Sequence, residues 1–259
     1  KVNIFRNIKG HFINVTAAAG LDETSGWWNC IQVADIDGDG KPDLIAGNLG
    51  LNSMFKASVK EPVEMYLNDF DNNGSLDQVI CTYQNGTSYP FASLDELSDQ
   101  ITGLENKFPK YSDFGEKTVK DIFGKTAIDK AILKKAVLFE SCVFLNNGNG
   151  TFKTYKLPVE AQFSPVRSIL DYDINKDGKP DLVLAGNNYA VRQSYGRYDA
   201  SYGWCLMADS GGFKALMPAK SGLKILGDAR KIVPIDIAGK HYLLAAVNNG
   251  ELQVFQFLK

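Results

Sequence analysis

The chain has 259 residues, 44% of them hydrophobic, and a formal net charge of −2. That length can bury a substantial core, and a near-neutral balance with no basic stripe argues against nucleic acid as the main partner. No apolar run approaches the roughly 18–20 residues needed to span a membrane.

The first predicted strands are Val2 to Phe5 and Phe12 to Val15, followed by the aromatic pair Trp27-Trp28 and Asn29. An acidic loop comes next, Asp35-Ile36-Asp37-Gly38-Asp39-Gly40-Lys41-Pro42-Asp43, obeying D-x-[DN]-x-[DN]-G-x-x-D. The same nine-residue rule returns at Asp69–Asp77 and at Asp173–Asp181. Alternate oxygens before a Gly kink converge when the backbone curls. The side chains of Asp35, Asp37, Asp39 and Asp43 therefore read as one ligand set. Asp69, Asp71, Asn73 and Asp77 form a second, and Asp173, Asn175, Asp177 and Asp181 a third. The backbone carbonyls of Lys41, Ser75 and Lys179 can add one oxygen to each. Such sets suit calcium, which takes six to eight oxygens at about 2.3–2.6 Å; magnesium holds its waters and fits less well. About three calcium ions are expected, which would bring the formal charge to about +4. Ordinary Asp-Gly hairpin turns are the simpler explanation for one such loop. Three loops at one spacing favour the metal.

The flanks decide the type of site. An EF-hand needs Glu at position 12 and a helix on each side. Position 12 here is Ala46, Ile80 and Leu184, inside short β-branched runs such as Leu182-Val183-Leu184-Ala185. Cys30–Ala34, Glu64–Leu67 and Arg167–Leu170, which precede the loops, are strand-like as well. Each unit thus reads as strand, loop, strand.

Between Ser93 and Glu140 the pattern turns helical. It opens on the capping box Ser93-Leu94-Asp95-Glu96 and continues through Thr118–Phe123 and Thr126–Ala136. Removing this insertion leaves a second repeat of about 60 residues. After the third loop, Pro234–Asn249 shadows Leu170–Asn188 but keeps only Asp236 of the carboxylates, so no ion is expected there and Asp236 reads as a turn residue. Four repeat units are visible. The N-terminal strands either complete the last of them and close a ring, or belong to a preceding one. Cys30, Cys81, Cys142 and Cys205 read as buried core thiols, a disulfide remaining open.

The loops and their flanks resemble FG-GAP/VCBS repeats, the calcium-binding blades of integrin-type β-propellers. Gly10–Leu21, Gly26-Trp27-Trp28-Asn29 and Phe144–Phe152 are similar to the branch that includes cartilage acidic protein. Glu160–Val166 and Gly196–Gly203 look like the version in secreted proteins of Bacteroidetes-type bacteria. The resemblance implies an all-β fold: one β-propeller domain or propeller fragment over 1–259, about four blades visible, with the helical insertion at 93–140. It implies a calcium-binding module outside the cell, in the periplasm or at the cell surface, where calcium is millimolar. The chain reads as a piece of a longer protein.

No catalytic motif is present: no G-x-S-x-G, no Cys/His pair, no Gly-rich phosphate loop before a helix. A non-enzymatic module that binds a protein or a glycan is the leading reading. Candidate contact residues are Trp27 and Trp28, and in the later loop Tyr189, Arg192, Tyr195, Arg197, Tyr198, Asp199 and Tyr202. The alternatives are a polysaccharide lyase or glycoside hydrolase built on the same scaffold, or a purely structural module of a larger secreted protein.

Overall fold

The structure is a computed structural model and describes residues 1–257. Seventeen strands among the described residues form five antiparallel sheets, so the fold is all-β with short helices. Contacts divide the chain into two compact units: Lys1–Met54 with the residues from Phe139 onward, and Phe55–Leu138.

Strands β1 (Phe5–Ile8) and β2 (His11–Asn14) form a hairpin around Lys9-Gly10, both in the left-handed region that a two-residue turn requires. Among the described residues they pair only with each other. The first of them begins at Phe5, where the sequence reading placed its end. Next come β3 (Cys30–Ala34) and β4 (Asp43–Gly47), joined by the first acidic loop. The chain then enters the second unit through β5 (Val63–Asn68), β6 (Asp77–Gln84) and β7 (Thr87–Pro90). Five helices follow: α1 (Leu94–Ser98), α2 (Leu104–Lys107), α3 (Tyr111–Phe114), α4 (Val119–Phe123) and α5 (Lys125–Lys130). Strand β8 (Ile132–Ala136) closes this sheet in the order β7-β6-β5-β8.

Two expectations are corrected here. The helical pattern through Ala136 stops at Lys130: Ala131 is extended, and Ile132–Ala136 pairs with Leu67–Val63 of β5. Ladder hydrogen bonds along β5 outweigh a helical propensity spread over one short turn. The second correction concerns the repeat boundaries. Strands β9 (Cys142–Asn146) and β10 (Phe152–Lys156) do not extend the sheet of the second loop. They pair with β4, giving the order β10-β9-β4-β3. The segment Phe55–Leu138, with its own sheet and acidic loop, is thus nested in sequence between two paired strands of the first repeat.

The third repeat is continuous: β11 (Val166–Tyr172), β12 (Asp181–Gly186), β13 (Trp204–Asp209) and β14 (Gly212–Leu216), in that order across the sheet. After α6 (Pro218–Ser221), β15 (Ala229–Ile237), β16 (Lys240–Val247) and β17 (Gln253–Gln256) make a three-stranded sheet. Asp236 lies on β15 opposite His241, whose Nδ1 it contacts, and not in the turn. The turn is Ala238-Gly239, both at positive φ.

Strand β12 is buried along its whole length, and its period-2 alternation serves two cores. Leu182 and Leu184 join Ile45, Val143 and Ile169, whereas Val183 and Ala185 join Ile232, Leu243 and Ala245. The sheet of the third repeat is therefore packed on both faces, which explains why its central strand reads as an unbroken apolar run. Gly186 ends that strand where Pro165 crosses it. A Cβ there would lie 1.7 Å from the Pro165 carbonyl oxygen. We expect Gly186→Ala to lower stability by about 3 kcal/mol or more, because backbone rather than a flexible side chain must move; urea denaturation checks it, and a change below about 1 kcal/mol would mean the crossing is loose.

Candidate functional site

All three acidic loops fold alike. Positions 4 and 6 take left-handed φ in each: Gly38 and Gly40, Asn72 and Gly74, Lys176 and Gly178. This curl turns the amides inward onto the first Asp. Asp35 accepts from Gly38 N (2.9 Å) and Asp39 N (3.1 Å) through Oδ1, and from Gly40 N (2.8 Å) through Oδ2. Asp69 accepts from Asn73 N (3.0 Å) and Gly74 N (2.9 Å), and Asp173 from Asp177 N (3.1 Å) and Gly178 N (2.9 Å).

The oxygens converge to different degrees. One carboxylate oxygen from each of Asp35, Asp37 and Asp39 lies within 4.8 Å of the other two, and the same holds for Asp69, Asp71 and Asp77. In the third loop Asn175 replaces the middle carboxylate, and its Nδ2 donates to Asp177 Oδ2 at 2.9 Å. Lys41 Nζ sits 2.6 Å from Asp39 Oδ2, and that contact holds the Asp39 carboxyl below its usual range. Asp71 is lowered chiefly by the amide of Thr102, and Asp177 by the amide of Lys179. Asn73 Oδ1 accepts from Ser75 N at 2.7 Å, so the position-5 oxygen also braces its loop.

The ninth residue of each loop does a second job. Asp43 and Asp181 are fully buried, and Asp77 nearly so. Asp43 Oδ2 accepts from Ile36 N (2.9 Å) within its loop, and Oδ1 from Asn146 N (2.7 Å) on β9. Asp181 repeats this with Ile174 N (2.9 Å) and Ala208 N (2.7 Å). Asp77 accepts from Phe70 N (2.8 Å), and burial raises its carboxyl above the ordinary value. By spacing alone these residues read as ligands. The pin to the third strand is visible only in the sheet order.

The aromatic residues separate into two sorts. Trp27 packs on Phe139 (centroids 5.0 Å), and Trp28 on Phe144 (5.8 Å) while its Nε1 donates to the Thr24 carbonyl. Both are half-buried. Trp204 is buried against Phe163. The segment from Tyr189 to Tyr202 is a surface loop closed by a bridge between Asn188 and Tyr198. Arg197 lies over the Tyr189 ring at 4.6 Å, and Lys224 over Tyr202 at 5.7 Å. Tyr202, Arg192, Arg197 and Asp199 are exposed; Tyr195 and Tyr198 are half-buried, and burial raises the Tyr198 phenol.

Sequence reading passed over the support beneath this loop. Asp228 is fully buried, 2.6 Å from Arg230 Nη2 and 3.9 Å from Arg167 Nε, and its Oδ2 faces Tyr189 N at 3.5 Å. Asn187, at positive φ, ties Ser164, Ser201 and Gly227 together. An Asp two residues before an Arg gives no hint of such burial. All four cysteines are free; burial pushes the thiols of Cys30 and Cys205 up to about 11 and those of Cys81 and Cys142 up to about 12. They are protonated packing groups at neutral pH.

These features define a class, an all-β repeat module whose strands are joined by acidic loops of one recurring geometry. A family model described as FG-GAP-like repeat matches residues 1–46, which span β1 to β3, the first loop and most of β4, and this supports the FG-GAP repeat family. No curated protein matches the chain. Among the described residues no helix is long and apolar enough to cross a membrane.

Proposed function

We propose that the chain is a non-enzymatic, calcium-stabilised module whose four larger sheets are blades of a β-propeller, and that it binds a protein or glycan outside the cell or at its surface. The observation that carries this reading is the shared geometry of the three loops, in which the same positions turn left-handed and the first Asp accepts the amide of the sixth residue. Oxygen-only donor sets of this kind match a hard divalent cation, and the millimolar calcium outside cells suits exposed loops. Calcium would pin the hairpins and keep the Tyr189–Tyr202 loop on a rigid support; the exposed Tyr202 and the Arg197–Tyr189 stack are apt contacts for a sugar ring or a protein side chain.

The ions are not expected to bind equally. The third loop carries three carboxylates beside Lys176 and Lys179, whereas the second carries three with no lysine and the first four with one. The third loop is therefore the weakest site. Metal content by mass spectrometry should give about three calcium ions, falling by one in Asp39→Ala and by one in Asp177→Ala, with Asp236→Ala unchanged. An ion lost in Asp236→Ala, or none bound at the outset, sinks the assignment. Capture of a glycan or protein that fails in Tyr202→Ala at an unchanged ion count would locate the contact surface in that loop.

A further inference from the structure

The second acidic loop differs from the other two in what holds its third residue. Asp37 and Asn175 accept hydrogen bonds from inside their own loops. Asp71 does so too, through Oδ1 from Asn73 N, but its Oδ2 also accepts from Thr102 N at 2.9 Å, thirty-one residues away between α1 and α2. Two further ties run to the helices from this loop and from the end of β5 just before it. Phe70 stacks on Phe123 of α4 (centroids 4.1 Å), and Asn68 Nδ2 donates to the Ala127 carbonyl in α5 at 3.1 Å. In the first and third loops the residue matching Phe70 is Ile36 or Ile174, and each packs into a β-sheet core. The helical segment buries Leu97, Ile101, Leu104 and Ile122 against Val79 and Cys81 of β6. Each helix has only four to six residues, so none is stable by itself, and their order depends on such anchors.

We propose that the second loop is a cation-dependent latch for the helical segment Leu94–Lys130: a divalent cation held by Asp69, Asp71 and Asp77 fixes the Asp71 carboxylate in the position that receives Thr102 N–H. This rests on the calcium reading of the loop. Without a cation, three carboxylates within 4.8 Å repel one another, and Asp71, which alone of the three bonds the helical segment, swings outward. With a cation the charge is neutralised and the carboxylate stays. By linkage the effect is reciprocal, so the Thr102 contact also tightens cation binding.

The test is hydrogen–deuterium exchange on the full chain in calcium and in EGTA, following peptides that cover 99–108 and 69–77, together with metal content. Calcium should slow exchange in both, by about tenfold at Thr102, the scale of one hydrogen bond to a charged acceptor. Thr102→Pro, which removes the donor, should weaken calcium binding at this loop by about three- to tenfold and leave the other two loops unchanged. Slowed exchange at 69–77 with none at 99–108 overturns the latch and keeps the calcium site. No calcium uptake overturns the calcium reading and the latch with it. If Thr102→Pro does not fold, the exchange experiment on the unaltered chain still decides.

Discussion

Removal of divalent cations is expected to lower the melting temperature by about 15 °C or more. Ten Asp carboxylates sit in the three loops, a third of all the acidic residues, and in the first two loops three of them bring an oxygen within 4.8 Å of one another. A cation that binds only the folded chain stabilises it by mass action, about 2.7 kcal/mol per site at a hundredfold excess over Kd. For a protein of this size each kcal/mol moves the midpoint by about 2–4 °C. One occupied site is then worth about 5–10 °C, and three about 15–30 °C if their effects add. A calorimetric scan in millimolar calcium and in EDTA measures this directly. Superimposable scans would mean that the loops are stable turns held by their own amides, which the bonds to Asp35, Asp69 and Asp173 are able to supply.

The second large effect is expected at Asp181 and is independent of metal. Its two oxygens are the acceptors for Ile174 N and Ala208 N, and the side chain is fully buried. Asp181→Ala leaves both amides without that partner, at about 1–3 kcal/mol each, partly offset because a buried carboxylate no longer has to be desolvated. A net loss of about 2–4 kcal/mol follows, in EDTA as well as in calcium. Asp177→Ala is the control: it is exposed on the same loop, so its cost should appear in calcium and nearly vanish in EDTA. Equal melting temperatures for the two variants in EDTA would refute the pinning role. Asp43→Ala should behave like Asp181→Ala, since Asn146 N stands where Ala208 N does.

Much of this was legible in the chain because it is local. Position-specific oxygens and glycines within nine residues dictate the loop curl, and the apolar runs after them dictate strands, so loop–strand units were readable without any tertiary information. The capping box at Ser93 was likewise readable, and the structure shows both of its reciprocal bonds. Local pattern does not reach partners that are remote in sequence. Asp236 is a strand residue because β15 continues as far as Ile237 in register with β16. Ile132–Ala136 is a strand because β5 offers it a ladder. Trp27 and Trp28 fill space beside Phe139 and Phe144, more than a hundred residues away.

The sequence by itself determined the acidic loops, the strands that flank them and the all-β class, since each depends on residues a few positions apart. Only the tertiary structure decided that β9 and β10 belong with β4, that a whole sheet is inserted in sequence between β4 and β9, and that Asp43 and Asp181 fasten the third strands of their sheets. The physical reason is that antiparallel pairing and burial are contacts between segments: the hydrogen-bonding capacity of a strand is written in its residues, but its partner is chosen by which edge is free and which apolar face must be covered.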